Sequence, residues 1–216
     1  FLHKKIISKQ ASYVIKGSGV DVDKFDVKKK LRNKKQLSVL MASRITAEKG
    51  VNIYLAACKK LNIQYDEITF FLAGKTDDSE PDLIPHEELI EACNISGVNY
   101  LGNVSNMSEL LGTIDIVVLP TNRREGVPRI LVEAAASGAS LIATNIGGCA
   151  DIVHHNINGF IIDQNSEEDL VSAIENFIGN EKLLEQFSIA SKKIVKNEMN
   201  SKFVANEYIK IYRMIN

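Results

Sequence analysis

At 216 residues, 45% apolar and 25% charged, the chain suits one large domain or one and a half and can bury a real core. A formal charge of -1 excludes a global basic field, so nucleic acid or a strongly anionic surface is not a favoured partner, although a local basic patch stays open. Three widely spaced cysteines, Cys58, Cys93 and Cys149, form no C-x-x-C or Cys/His pair at metal-ligand spacing and read as reduced structural thiols of a cytoplasmic protein. No apolar run nears the ~20 residues that span a bilayer, and FLHKKIISKQ lacks the apolar core of a signal peptide. It also lacks an initiator Met, so a piece of something longer is expected.

In chain order, FLHKKII reads as a helix end, SYVI as a short strand and KGSGVDVDKF as a glycine-punctuated turn, followed by the basic linker KKKLRNKK. LSVLMASR (37–44) is a buried-strand run, and KGVNIYLAACKKL (49–61) carries apolar residues at helical spacing. ITFFLAG (68–74) is a strand, 86–95 a helix, VNYLG a short strand, and MSELLG a short helix capped by Ser105 or Asn106. IDIVVLP (114–120) is a strand closed by Pro120, and PRILVEAAASG is a helix with Pro128 suited to its first position and Gly138 to its end. ASLIATN is a strand, CADIVHH a short helix and GFIID a strand; SEEDLVSAIENFI starts at Ser166 with an acidic first turn. Helices over about 181–197 and 201–215 finish the chain. Strands alternating with helices predict an α/β fold, a doubly wound parallel sheet covered on both faces, with additional C-terminal helices. In that class ligands sit outside the carboxyl ends of the strands.

Three strand-end loops hold most of the unexplained polar residues. In SRITAEKG, Arg44 closes a strand and Lys49 opens the next helix; two cations beside a helix N-terminus suit a diphosphate, and the plain alternative is a solvated surface pair. In TNRREGVPRILVEAAASG, Gly126 allows close backbone approach, and the amides near Val127 and Arg129, around Pro128, offer an anion or hydroxyl site. Glu125 precedes that turn. Glu133 lies on an otherwise apolar helix, where a carboxylate is costly unless bonded; a ribose diol or a neighbouring Lys or Arg would each satisfy it. In TNIGGCADI, Gly147 and Gly148 are either a second approach to the ligand or a tight turn. His154 and His155 sit in a late helix as surface or packing groups, His86 is exposed, and Met107 and Met199 are core or boundary residues. No G-x-G-x-x-G, P-loop or G-x-S-x-G motif is present.

SRITAEKGV, LGNVSNMSELL, IDIVVLP and EGVPRILVEAAASGASLIATNIGGCADIV together resemble the carboxyl-terminal nucleotide-sugar domain of the retaining GT-B glycosyltransferases, sometimes called family four. The resemblance runs from about Ser12 to Asn216. The family's E-x7-E motif is matched by Glu125 and Glu133, and its Arg plus Lys-Gly motif by Arg44, Lys49 and Gly50. It implies that Arg44 and Lys49 hold the donor diphosphate, Glu125 contacts the transferred sugar, and Glu133 the ribose. The backbone of Gly126, Val127, Pro128 and Arg129 would face sugar and phosphate, and Asn103 and Val104 the base. No metal and no cofactor would be needed, because two cations and a helix N-terminus stand in for a divalent ion at the departing diphosphate.

The form EGVPRILVEAAASG most resembles bacterial enzymes that build lipid-linked oligosaccharides, capsule or O-antigen from UDP-sugars. Residues 1–25 would be a remnant of an amino-terminal acceptor domain with its interdomain turn, 26–199 the donor-binding domain, and 200–216 a crossover helix with an apolar face including Tyr208 and Ile211. The expected partners are a nucleotide-sugar donor and, through the amino-terminal domain, an acceptor glycan or lipid-linked glycan, with no nucleic acid. The full-length protein would be cytoplasmic, with peripheral association at the inner face of the plasma membrane, and the piece alone would not transfer sugar. Competing readings are a non-catalytic nucleotide or sugar-phosphate binding module and a GT-B-like sugar-nucleotide epimerase, which would need further acid/base carboxylates and a His that are not evident. A receiver-like signalling domain would need clustered Asp after the first strand, and LSVLMASR supplies none.

Overall fold

The computed structural model describes Tyr13, Ile15 and residues 17–26, 36–76 and 82–215. The expected helix end at 1–7, the basic linker at 28–35, and the expected strand at 12–15 other than Tyr13 and Ile15 lie outside the described residues. Among those described, six strands form one parallel sheet in the order β3-β2-β1-β4-β5-β6. They are β1 Leu37–Ala42, β2 Ile68–Ala73, β3 Val98–Tyr100, β4 Ile116–Leu119, β5 Ser140–Thr144 and β6 Gly159–Ile162, each inside a run read from the sequence. Every residue of β4 and β5 is buried, which is why these runs are continuously apolar rather than alternating.

Successive β1 side chains go to opposite faces of the sheet. Val39 and Met41 pack with Tyr54, Cys58 and Leu61 of α2 (Val51–Gln64), Leu89 of α3 (His86–Ser96) and Leu170 of α6 (Glu167–Glu175). Leu40 and Ala42 pack with Leu111 of α4 (Met107–Leu111) and Leu131, Val132 and Ala135 of α5 (Arg129–Ser137). The buried Tyr54 hydroxyl donates to the Phe71 carbonyl (2.9 Å), with the Val39 carbonyl at 3.1 Å, and so ties α2 to β1 and β2.

Two local expectations change and one narrows. The leading turn contains a short helix, α1 (Val22–Phe25), because the Asp21 side chain accepts from the Asp23 amide (3.2 Å) and Phe25 is buried. Of the two candidate caps for α4, Asn106 takes the position, accepting from Glu109 N at 3.3 Å. The expected helix CADIVHH is a 3-10 segment, Gly147–Asp151, that stops before the histidines. The Asn158 side chain ends it, accepting from the His154 amide (2.7 Å) and donating to the Ile152 carbonyl (2.9 Å). His155 then accepts the Ile161 amide at Nδ1 (3.1 Å), a packing role at the β6 turn.

α7 (Glu181–Ile194) runs into a π-helical turn, Val195–Met199, and then α8 (Ser201–Ile215). Val20 lies beside that junction, donating to Met199 O (2.8 Å) and accepting from Ser201 N (2.9 Å). On α8, Tyr208 is exposed, whereas Ile211 is half-buried beside Tyr13 and Ile15 in a groove. No described helix is long and apolar enough to cross a membrane.

All three cysteines are buried and free. Burial pushes the thiols up, to about 11 for Cys93 and about 12 for Cys149. None of the three should react with an aromatic disulfide reagent in the native chain at about pH 8, while all three react in denaturant; a fast native thiol would contradict this packing.

Candidate functional site

The strand order reverses between β1 and β4, so the loops leaving their carboxyl ends diverge and open a crevice. The two loops that the sequence marks by their charges, Arg44–Gly50 and Asn122–Arg129, leave from those two strands.

The first loop is held almost entirely by main chain. Thr46 pairs with Leu83, and the 3-10 turn Ala47–Lys49 follows. Lys49 therefore ends this turn instead of opening α2. Gly50 separates the two at φ +83, and a Cβ there would lie 2.0 Å from the Pro120 carbonyl oxygen, so only glycine lets the turn press on the end of β4. Asp82 secures the other side: its Oδ2 accepts the Glu48 amide (2.7 Å) and its carbonyl the Ala47 amide (3.1 Å). The Glu48 carbonyl in turn accepts the Asn122 amide (2.8 Å) and the Thr121 hydroxyl (3.2 Å), stitching the two loops together.

This scaffold aims Lys49 across the crevice. The residue is only 7% exposed, and its Nζ meets Glu125 Oε1 at 2.7 Å. A buried ammonium demands a counter-charge. Glu125 supplies it while keeping 30% of its side chain exposed, so the pair faces the crevice on its carboxylate side. Arg44, half-buried, belongs to the same loop. The cations were expected to act as a pair on a ligand; the structure brings Lys49 to Glu125, a contact that loop spacing alone does not reveal.

Beyond Glu125, a Cβ at Gly126 would meet nothing within 4 Å, so the backbone there borders open space. Val127 is half-buried and Pro128 buried. Pro128 takes the N-cap of α5 at φ -65, one position before the place expected for it. The first amides of α5 lack intrahelical partners, as at any helix start. Glu133, 12% exposed, accepts from Arg129 Nε at 2.7 Å, one turn back on the same helix. The ion-pair alternative is thus realised at i,i+4, but with an Arg129 side chain 76% exposed, so the pair is weak and open to exchange.

Asn103 (exposed) and Val104 (half-buried) follow β3, two strands from β1 at the same edge of the sheet. Their loop is anchored where the Gly74 amide donates to the Gly102 carbonyl (2.8 Å). The Gly147–Gly148 turn lies against the Glu125 loop, with the Gly148 amide donating to the Glu125 carbonyl at 3.0 Å. Cys149 beside it is raised to about 12, by burial first and by the Glu125 charge second, which makes it a neutral packing group and no nucleophile.

Among the described residues, no three or more His, Cys, Asp or Glu side chains gather as a metal ion would need. A cavity of about 770 Å³ lies at the opposite edge of the sheet, lined by Gln36, Leu37, Glu67 and residues 177–182. It lacks a strand-end loop carrying two cations, which the carboxyl edge has in Arg44–Gly50. Of the supporting residues, Asp82 and Thr121 carry no sequence signal, since their bonds depend on chain segments far apart.

The asymmetry of the Lys49–Glu125 pair sets an order of stabilities. Glu125→Ala strands a buried ammonium and should cost about 3 kcal/mol, a melting-temperature drop of roughly 6 to 12 °C. Lys49→Met leaves a carboxylate that water still reaches and should cost less than half as much. Urea unfolding of both variants checks this; equal losses, or the reverse order, would contradict it.

The chain matches the family described as Glycosyl transferases group 1 over residues 22–194. It is 30% identical over 211 residues to an N,N'-diacetylbacillosaminyl-diphospho-undecaprenol alpha-1,3-N-acetylgalactosaminyltransferase of Campylobacter jejuni, covering 92% of this chain and 53% of the relative. The crystal structure of Anabaena HepE in complex with UDP and glucose superposes with a TM-score of 0.83 at 21% identity, over 98% of this chain and 59% of that one. The C-terminal domain of a Francisella tularensis glycosyl transferase group 1 family protein, LpcC, superposes with a TM-score of 0.72 at 21% identity over 84% of this chain and 99% of that one. The chain spans about half the length of the curated relatives it matches. A family match over most of its length, on the fold and loops described above, identifies this chain as a member of the group 1 glycosyl transferases.

Proposed function

We propose that this chain is the donor-binding part of a retaining glycosyltransferase that moves a sugar from a UDP-sugar to a lipid-linked or polysaccharide acceptor. The observation that carries the reading is the buried Lys49 ammonium, 2.7 Å from Glu125 at the point where strand order reverses, with Arg44 on the same loop. An ammonium has three donors, so Lys49 can keep Glu125 and still bind a phosphate oxygen. Arg44 and the first amides of α5 add to the charge facing the diphosphate. Glu133 uses one oxygen on Arg129, and a carboxylate has further lone pairs for a ribose diol. Asn103 and Val104 border the base, and Glu125 with the backbone of Gly126 to Arg129 borders the sugar.

In the reaction the anomeric C–O bond to phosphate breaks and the acceptor oxygen bonds to the same face of that carbon. The acceptor proton passes to the departing phosphate oxygen. Lys49, Arg44 and the helix amides stabilise the negative charge that builds there, which is the task a divalent ion would otherwise perform, so no metal or cofactor enters the proposal. Glu125 orients the sugar and stabilises positive charge on it. The name of the Campylobacter protein supports the lipid-diphosphate acceptor, and the UDP bound to the Anabaena protein supports the uridine nucleotide.

Residues 26–199 are taken as the donor-binding unit, with 1–25 and 200–216 at the boundary to an acceptor-binding domain, in keeping with the main-chain pairing of Val20 to Met199 and Ser201. Transfer requires that second domain, and the full protein works at the cytoplasmic face of a membrane where lipid-linked acceptors are presented. Calorimetric titration with UDP, GDP, ADP, UDP-glucose and UDP-N-acetylgalactosamine tests the donor site. Uridine nucleotides should bind best, and Arg44→Ala and Glu133→Ala should each weaken UDP about tenfold. No binding at about millimolar nucleotide, or binding indifferent to both substitutions, would overturn the reading.

A further inference from the structure

Glu125 is gripped from two sides. Lys49 holds its carboxylate from the β1 loop, and the Gly148 amide holds its carbonyl from the turn after β5. The second grip is unusually close. An ideal Cβ on Gly148 would lie 2.4 Å from Val127 N, 2.5 Å from Gly126 C and 2.6 Å from Val127 Cα. One on Gly147, which has φ +52, would lie 2.4 Å from Glu125 O. All these neighbours are backbone atoms, so no side-chain rotation could make room.

The turn itself is the stiffer partner. Ile146, Cys149, Ile152 and Val153 are buried in the core, and Cys149 N donates to Ile146 O (3.1 Å) while Val153 N donates to Cys149 O (2.8 Å). A methyl added to either glycine would therefore push the Glu125–Val127 segment outward and leave the turn in place. The Arg44–Lys49 loop would stay, because Asp82, Thr121 and Asn122 hold it independently.

We propose that Gly147 and Gly148 are positioning residues for the sugar subsite: by admitting the β5 turn to backbone contact with residues 125–127, they fix where Glu125 meets the transferred sugar. They touch no ligand themselves, and Arg44, Glu133 and the main chain of Lys49 lie on segments that the added methyl does not press on. The inference rests on the donor-site reading above. It predicts a separation that a purely structural role would not give, namely a loss of sugar recognition well beyond any loss of nucleotide recognition.

The test is calorimetric titration of the whole chain with UDP and with UDP-glucose and UDP-N-acetylgalactosamine, on wild type, Gly148→Ala and Gly147→Ala, with thermal unfolding recorded for each. Gly179→Ala serves as control, since it is also at positive φ (+66) but has nothing within 4 Å of its Cβ and lies at the opposite edge of the sheet. The expected result is the better UDP-sugar weakened about tenfold more than UDP in both variants. The control should keep the wild-type ratio of the two. If wild type binds UDP and a UDP-sugar but both variants weaken them equally, or neither, the inference falls and the donor site stands. If wild type binds none of the three, the donor-site reading falls and takes the inference with it. Should Gly148→Ala unfold, Gly147→Ala carries the comparison; unfolding of both would mark the turn as a general folding element and overturn a role confined to the sugar.

Discussion

A lysine ammonium taken out of water is tolerable only where a carboxylate meets it, and much of this site is arranged around that need. Lys49 is buried at the end of a 3-10 turn, and Glu125 answers it from the neighbouring strand's loop. The two residues are 76 positions apart in sequence. They meet because a parallel sheet in the order β3-β2-β1-β4-β5-β6 sends the chain one way after β1 and the other way after β4. The crevice follows from that reversal, and the ion pair marks it.

The support around the pair is mostly backbone. Asp82 caps the turn, Gly50 admits the Pro120 carbonyl, and the Glu48 carbonyl binds the start of the second loop. A site built this way fixes a flexible lysine through the stiffness of its main chain, so its charge is in place before any ligand arrives. The neighbouring Arg129–Glu133 pair is of the opposite kind, exposed at its cationic end and cheap to rearrange. One pair is suited to holding position and the other to exchanging partners.

Much of this was legible in the sequence, for identifiable reasons. Apart from β3, the strands are short, mainly apolar runs bounded by Gly, Pro or polar residues, and full burial of β4 and β5 makes those two the plainest. Arg44, Lys49, Glu125 and Glu133 stood out because charges at the ends of apolar runs are expensive. The partner of Glu133 was within reach as well, since Arg129 stands at i,i+4 on a readable helix. What escaped was long-range or conformational. Asp82 and Thr121 act through atoms far away in sequence, the switch from 3-10 turn to α2 hinges on Gly50 at φ +83, and Asn158 ended the short helix before His154 through its side chain. The double glycine was visible as a motif, but its close fit on the Glu125 loop was not.

We assign ligand chemistry to the crevice between the β1 and β4 loops and not to the cavity of about 770 Å³ at the other edge of the sheet. Amide chemical-shift mapping of the isotopically labelled chain during titration with UDP tests it most directly. The perturbed amides should cluster at 44–50, 102–104 and 125–133. Perturbations centred instead on Gln36, Glu67 and residues 177–182, around the 770 Å³ cavity, would contradict it.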